Sequence, residues 1–331
     1  MMEAKVTGYA LAPPTNPSLF DMARAADGLT SIIADVRDRN ALIRAVKEAN
    51  PDIVIHMAAQ PLVRASYEDP VETYEVNVLG TVNLLEAVRH AKNVRAVMIV
   101  TSDKCYANHE HNVPYREDDP MGGRDPYSSS KGCAELVSFA YFSSFFQGVA
   151  GRPALATARA GNVIGGGDWA RDRLLTDMVA AFSRGAPAII RYPDAVRPWQ
   201  HVLEPLSGYL ILAERLVSDG HSFAGAWNFG PNLLDCRTVS AVADLLCNLW
   251  GNGASWAPDQ AAHPHEAGLL MLDHTKAMDG LGWTPAWNLE TALESVVVWH
   301  RRLSDGDSAA EICREQINSY LRDLDLRRQE K

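Results

Sequence analysis

Short apolar runs alternate with amphipathic stretches through the first half of the chain, and their spacing predicts a regular succession of strands and helices. An apolar run closing at Gly8-Tyr9 opens it. Residues 31–34 (SIIA) read as a strand ended by Asp35, and Asp38 is placed to cap a helix over residues 41–49, whose Leu42, Ile43, Val46 and Ala49 share one face. Asn50-Pro51 stops that helix. A strand over 53–56, a long helix over 71–89, a strand over 96–100, a helix over 127–145 and a strand over 154–160 follow. Strands alternating with helices at this spacing pair in parallel, with helices on both faces. Such strands are buried on both sides, so the runs are apolar throughout and not merely at every second position. The expected fold class is α/β, with a doubly wound parallel sheet.

Beyond Gly161 the pattern loosens into turns punctuated by Gly and Pro, with helices over 174–184, 204–217, 239–250 and 289–302. This predicts a smaller, mostly helical part packed on the end of the sheet, with Trp283 and Trp287 in its core. Residues 1–160 form the sheet domain, to which 201–230 return. Residues 161–200 and 231–322 form the second part, and 323–331 a tail.

Composition narrows the class. With 47% hydrophobic and 22% charged residues among 331, this is an ordinary globular chain. A net charge of -10 argues against nucleic acid or an anionic membrane as partner, because both demand a basic surface. Any anionic ligand must be held by a few local cations or helix-end amides. The five cysteines are odd in number, scattered and never in C-x-x-C, which suggests neither a disulfide framework nor a zinc site and fits a reducing cytoplasm. His263 and His265 have no third ligand at matching spacing and read as turn or surface histidines, so no metal is expected. No apolar run approaches the length of a bilayer span.

In open α/β sheets ligands sit at the carboxyl ends of the strands. After the strand at 53–56 comes His56-Met57-Ala58-Ala59-Gln60, where small side chains let a flat ligand approach the backbone. After the strand at 96–100 comes Thr101-Ser102-Asp103-Lys104, a succession of hydroxyls, a carboxyl and an amine. In "DPYSSSKGCAE", Tyr127 and Lys131 are four apart at the start of a helix and face the same way. A phenol titrates near pH 10 and is a poor base at neutrality. An ammonium beside it favours the phenolate.

Tyr127-x-x-x-Lys131 after this succession of strands, with Ser102 one strand earlier, resembles the extended short-chain dehydrogenase/reductases over essentially the whole chain. The resemblance implies a Rossmann-type domain, NAD as cofactor, and a redox triad of Tyr127, Lys131 and Ser102. It further implies that Asp35 and Val36 in "ADVRD" hold the adenine end, and that Ala58, Ala59, Gln60 and Thr101 lie along the cofactor. Asn77 in "NVLGTVNLLEA" would belong to a proton relay.

Nucleotide-sugar 4,6-dehydratases of this family carry Thr-Asp-Glu where this chain has Ser102-Asp103-Lys104. Together with "RPWQHVLEP", "GNVIGGGDWARDR" and "HEAGLLMLDHTKA", that difference is similar to members acting on CDP-glucose. The implied reaction is an internal redox cycle of deoxysugar biosynthesis: oxidation at C4, loss of water across C5 and C6, and reduction at C6. Asp103 is then the acid and Lys104 the base, roles that work against a plain Asp–Lys ion pair. Arg173 and Arg197 are candidates for the diphosphate, Asn162 for a hydrogen bond to substrate, and Trp199 or His201 for the nucleotide. A homodimer through the helices at 71–89 and 127–145 is implied as well.

One family feature is expected to be missing. "EAKVTGYALAPP" aligns with the second strand of such sheets, so a βα unit of about 20 to 30 residues carrying G-x-x-G-x-x-G is absent in front of it, and weak NAD binding follows. Gly165-Gly166-Gly167 comes too late to replace it. Alternative readings are a dehydratase or epimerase for another nucleotide sugar, and a non-catalytic chain that binds a sugar nucleotide.

Overall fold

The structure, a computed structural model, describes residues 4–264 and 266–329. Its strands in chain order are β1 (Thr7–Ala10), β2 (Thr30–Ile33), β3 (Ile53–His56), β4 (Ala96–Val100), β5 (Ala154–Ala160), β6 (Asn162–Ile164), β7 (Ala188–Ile190), β8 (Val196–His201), β9 (Gly225–Phe229), β10 (Cys236–Thr238) and β11 (Trp256–Pro258). The first half carries helices α1 (Leu19–Met22), α2 (Arg39–Ala49), α3 (Val63–Glu68), α4 (Pro70–Tyr74), α5 (Gly80–His90) and α6 (Pro126–Tyr141). The rest are α7 (Leu174–Phe182), α8 (Leu203–Ser218), α9 (Val239–Trp250), α10 (Thr275–Leu281), α11 (Leu289–Ser304) and α12 (Ala309–Gln329).

A four-stranded, all-parallel sheet in the order β3-β4-β5-β9 forms the centre. Every residue of β5, ALATARA, is buried. Its alanines at 156 and 158 face Leu212, Tyr209, Phe229 and Trp283, while Leu155 faces the opposite cluster with Val97, Ile99, Leu85 and Val46. Small residues on one face let α8 lie close to the strand, and larger ones on the other meet α2 and α5. The doubly wound α/β arrangement expected from the apolar runs is present.

β1 and β2 form a separate parallel pair, with Thr7 opposite Thr30 and Ala10 opposite Ile33. β3 pairs directly with β4, so its other edge is open. Among the described residues no strand lies between that edge and β1. Ile53 and Ile55 of β3 are 40% and 39% exposed, unlike the interior strands, which are buried except at Val100. Open edges with apolar side chains are templates for further pairing.

Local chemistry sets the helix ends. Asp38 caps α2 by accepting from the Ala41 N–H at 2.9 Å, as its position suggests. The run expected as one helix over 71–89 is α4 and α5 joined by a π-helical turn, Glu75–Leu79, that contains Asn77. Another π turn, Phe142–Phe146, ends α6. Periodicity cannot reveal one inserted residue, and such bulges often mark functional positions.

The second part is mostly helical, as expected, but it also contains strands that the sequence pattern does not predict. It holds a three-stranded sheet, β10-β8-β6, and a parallel pair, β11-β7, built on strands of three to six residues. Runs this short between Gly and Pro carry too few alternations to be read as strands. From Asp323 onward the chain is not the expected tail, since α12 runs to Gln329 and Asp323 accepts from Trp287 Nε1 at 2.7 Å.

The seat of α6 on β5 is polar at its heart. Glu135 accepts from Arg159 Nε at 2.9 Å and Nη2 at 2.8 Å, from Thr157 at 2.7 Å and from the Thr101 hydroxyl. Arg159 also lies over the Tyr106 ring and donates to its hydroxyl. Arg159→Met is expected to destabilise the fold by about 3–5 kcal/mol, since it strands a buried carboxylate without its counter-charge. The check is the fall in thermal midpoint against that of Tyr106→Phe, which keeps the ion pair and costs less.

Candidate active site

Carboxyl ends of β3, β4 and β5 converge beside the N-terminus of α6. Asp125 caps that helix by accepting from the Ser128 N–H at 2.9 Å, with Pro126 in its first turn. This rigid start aims Tyr127 across the end of β4 toward Ser102. One helical turn on, Lys131 points the same way, its Nζ 3.4 Å from the Val100 carbonyl.

Ser102, Lys104, Tyr127, Asn162, Arg173, Arg197 and Trp199 line one cavity of about 350 Å³. Gly161, between β5 and β6, also lines it. A side chain there would collide with Pro198 and approach Asp103 Oδ2 to 3.2 Å. Asp103 itself is fully buried behind the cavity wall. Its Oδ1 accepts from the Ser102 hydroxyl at 2.9 Å and lies 3.7 Å from Lys104 Nζ, while its Oδ2 has no hydrogen-bond partner among the described residues.

Electrostatics at α6 are set by burial. Tyr127 is pushed up to about 12, chiefly by desolvation, while its hydrogen bond with Ser102 pulls it down. That direction is opposite to the lowering expected from an ammonium beside the phenol, because burial outweighs it. Lys131 is itself lowered to about 8 by desolvation, with Glu135 opposing. Burial holds His56 near 4, and the Lys131 ammonium adds to the effect.

Asn77 ties this region together. Its side chain accepts from the Gln60 N–H at 2.8 Å and donates to the Gln60 carbonyl at 3.0 Å and to Ser130 Oγ at 2.8 Å. Ser130 donates to the Tyr127 carbonyl, so the π turn, the loop after β3 and α6 are one hydrogen-bonded unit. Ala58 and Ala59 flank Gln60 and are half-buried. Thr101 turns its hydroxyl to Glu135. Asp35, at the end of β2, is gripped by Arg37 at 2.6 and 2.9 Å, and Val36 packs against Gly80 of α5.

Arg197 is 5% exposed, donates to the Val196 carbonyl at 3.0 Å and has no carboxylate partner in an ion pair among the described residues. Burial lowers its pKa. Arg173 is half-exposed and bonded to Asp168 at 2.7 Å. Asn162 Oδ1 is buried and unpartnered. Trp199 presents its ring and keeps its N–H on the Arg237 carbonyl at 3.0 Å.

His201 does not belong to this cavity. It is buried two residues beyond Trp199, 4.9 Å from the Trp287 ring, and desolvation holds it near 4. His201 shares the strand parity of Arg197 and Trp199 but, at the end of β8 opposite Ile164, packs on Trp287 instead of lining their cavity. Trp283 and Trp287 are buried as expected. His263 pairs with Asp259 at 3.0 Å, and His265 lies outside the described residues. Among the described residues no group of three or more His, Cys, Asp or Glu could hold a metal, and no helix is long and apolar enough to cross a membrane. Sequence reasoning missed Ser130, Arg64, Asp172 and Arg191. Arg64 and Arg191 carry no motif of their own, and Asp172 stood unread inside "GDWARDR".

The GDP-mannose 4,6 dehydratase family model matches residues 18–226. The chain belongs to this family of short-chain dehydrogenase/reductases. The CDP-glucose 4,6-dehydratase of Salmonella typhimurium is 51% identical over 327 residues, covering 97% of this chain and 90% of that one. Among solved structures, the UDP-glucuronic acid 4-epimerase of Bacillus cereus superposes with a TM-score of 0.78 at 20% identity, covering 90% of this chain and 91% of that one. The dTDP-glucose 4,6-dehydratase of Bacillus anthracis, in complex with NAD, gives 0.73 at 19% identity over 92% of this chain and 91% of that one. At such identities the superpositions speak for the fold.

Lys131 makes a measurable prediction about pH. An unfolded lysine titrates near 10.4, so between about pH 8 and 10.4 the unfolded chain binds more protons than the folded one, and stability from this group rises with pH across that window. Lys131→Met is expected to flatten the rise in thermal midpoint between about pH 7.5 and 9.5. An unchanged rise in the variant would assign it to another group.

Proposed function

We propose that this protein is a lyase that converts CDP-glucose to CDP-4-dehydro-6-deoxyglucose with NAD as its resident cofactor. The observation that carries this is the joint lining of one cavity by Tyr127, Ser102 and Lys104 at its reactive end and by the buried, unpaired Arg197. A chain of net charge -10 that buries a lone guanidinium in a cavity wall has built a place for an anion. Half of the sequence is shared with the Salmonella typhimurium CDP-glucose 4,6-dehydratase, which supports this substrate over those of the epimerases.

The residues beside α6 fit the nicotinamide and ribose of NAD. Lys131 is buried with one long hydrogen bond to Val100, which leaves ammonium donors for ribose hydroxyls, and Ala58-Ala59 leave room along the end of β3. A glycine-rich turn for the pyrophosphate is not among the described residues between β1 and β3. Bound there, NAD would accept hydride from sugar C4 and return it at C6.

Tyr127 takes the proton of the C4 hydroxyl as that carbon is oxidised, with Ser102 stabilising its oxygen by hydrogen bonding and Lys131 by its charge. The phenol at about 12 needs added positive charge nearby to act as a base, which NAD in its oxidised form would supply when bound. Once C4 is a ketone, the C5 proton is acidic. The Asp103–Lys104 pair serves the elimination as a unit, with Lys104 facing the sugar and Asp103 behind it at 3.7 Å. One proton enters the pair from C5 and one leaves it to the departing C6 oxygen, so its charge is unchanged. The hydride that returns at C6 is matched by a proton delivered to C5, which balances the one Tyr127 took from the C4 hydroxyl. Arg197 holds the diphosphate, Asn162 donates or accepts at the sugar, and Trp199 supplies an apolar wall. Five free cysteines suit a reducing cytoplasm as its location.

A homodimer is part of the same proposal. Val71 of α4, Leu79 in the π turn, and Leu136 and Phe139 of α6 are exposed, with Phe139 at 70%, on adjacent helices. A second copy related by a twofold axis would cover this patch as a four-helix interface.

Incubation of CDP-glucose with the protein and added NAD is expected to yield a product lighter by one water in mass spectrometry, with Tyr127→Phe slower by at least about a hundredfold. Unchanged CDP-glucose beside dehydrated dTDP- or UDP-glucose would overturn the substrate. For the assembly, Phe139→Asp is expected to convert a dimer to a monomer in light scattering. A wild-type monomer would refute that interface.

A further inference from the structure

The lining of the cavity carries five cations, Arg64, Lys104, Arg173, Arg191 and Arg197, against four carboxylates, Asp168, Asp172, Asp177 and Glu266. Three of the cations are accounted for. Lys104 stands at the reactive end beside Asp103, Arg173 is bound to Asp168, and Arg197 is sunk in the wall. Arg64 and Arg191 are different. Arg64 projects from α3, on the sheet side, and Arg191 follows β7 in the second part. Both reach a single atom, Asp172 Oδ1, at 3.4 and 2.8 Å. Asp172 comes from a third element, the loop between β6 and α7, where its φ of 64° is a left-handed conformation that Asp and Asn adopt more readily than most residues. All three side chains are partly exposed, which places the cluster at the cavity's opening and not in its wall.

Two guanidinium groups converging on one anionic oxygen from opposite walls is the environment a phosphate oxygen seeks. A diphosphate brings more charge and more oxygens than one carboxylate, and Arg197 alone leaves it short of neutralisation. Resting on the reading of the substrate as a nucleoside diphosphate sugar, we propose that Arg64 and Arg191 form a second diphosphate subsite, and that Asp172 is a tethered stand-in which the substrate displaces from both arginines. The carboxylate keeps two like charges together while the cavity is empty. It also competes with the ligand at a high effective concentration, because the loop cannot carry it away.

The test is calorimetric titration of cytidine, CDP and inorganic pyrophosphate into the wild-type protein, Asp172→Asn, Arg64→Gln and Arg191→Gln. Asn keeps the left-handed backbone and an acceptor but removes the competing charge. Asp172→Asn is expected to tighten CDP and pyrophosphate by roughly three- to tenfold. Each arginine variant should weaken CDP by about tenfold or more. Cytidine should change by less than about twofold in all three, since it lacks the phosphates that these residues meet. An Asp172→Asn protein that binds CDP and pyrophosphate no better than wild type, or arginine variants that lose cytidine as strongly as CDP, would overturn the subsite. Wild-type binding of neither pyrophosphate nor any nucleoside diphosphate would do so too. A wild-type preference for UDP or dTDP over CDP would defeat only the choice of base, and the same variants titrated with the preferred diphosphate then decide the subsite.

Discussion

The placement of Tyr127 and Lys131 depends on one buried ion pair. Glu135 and Arg159 lock α6 to β5, and the hydroxyls of Thr101 and Thr157 complete the carboxylate's hydrogen bonds. A pair removed from water in this way survives only with such full satisfaction. Because α6 cannot slide or rotate on the sheet, Tyr127 and Lys131, two and one turns before Glu135, are held at the ends of β4 and β5. The Asn77 and Ser130 bonds then fasten the loop after β3 to the same helix. A helix placed only by apolar packing would have rotational play that a proton transfer does not tolerate.

A second constraint is electrostatic. Desolvation raises Tyr127 and lowers Lys131, His56 and Arg197, so burial disfavours the charged form of each of these four groups. Asp103 Oδ2 and Asn162 Oδ1 are buried without partners. Unsatisfied groups of this kind cost stability. Among the described residues Gln200 Oε1, His201 Nε2 and Arg215 Nε likewise lack a hydrogen-bond partner, away from the cavity, whereas Asn162 lines it and Asp103 lies behind its wall, where a ligand can supply missing contacts.

The parallel sheet imposes a third. β1 and β3 each present a strand edge with no described partner between them. Ser102 and the start of α6 stand at the ends of β4 and β5, on the other side of β3 from that edge. The cofactor side is where the sheet is interrupted.

Hydrophobic patterning by itself determined the α/β class, the order of the main strands and helices, and the pair Tyr127 and Lys131, because these rest on short-range periodicity and a four-residue helical spacing. Chemistry at strand ends pointed to Ser102, Asp103 and Lys104 for the same reason. Tertiary structure alone decided what depends on distant segments meeting. It turned His201 out of the cavity, added to the second part small sheets of three- to six-residue strands, and inserted π turns at Asn77 and after Tyr141. It also raised the Tyr127 phenol by burial instead of lowering it by a neighbouring charge. Arg64, Asp172 and Arg191, spread over more than a hundred residues, become one cluster only when three elements close on the same opening, and no local pattern in a sequence encodes such a meeting.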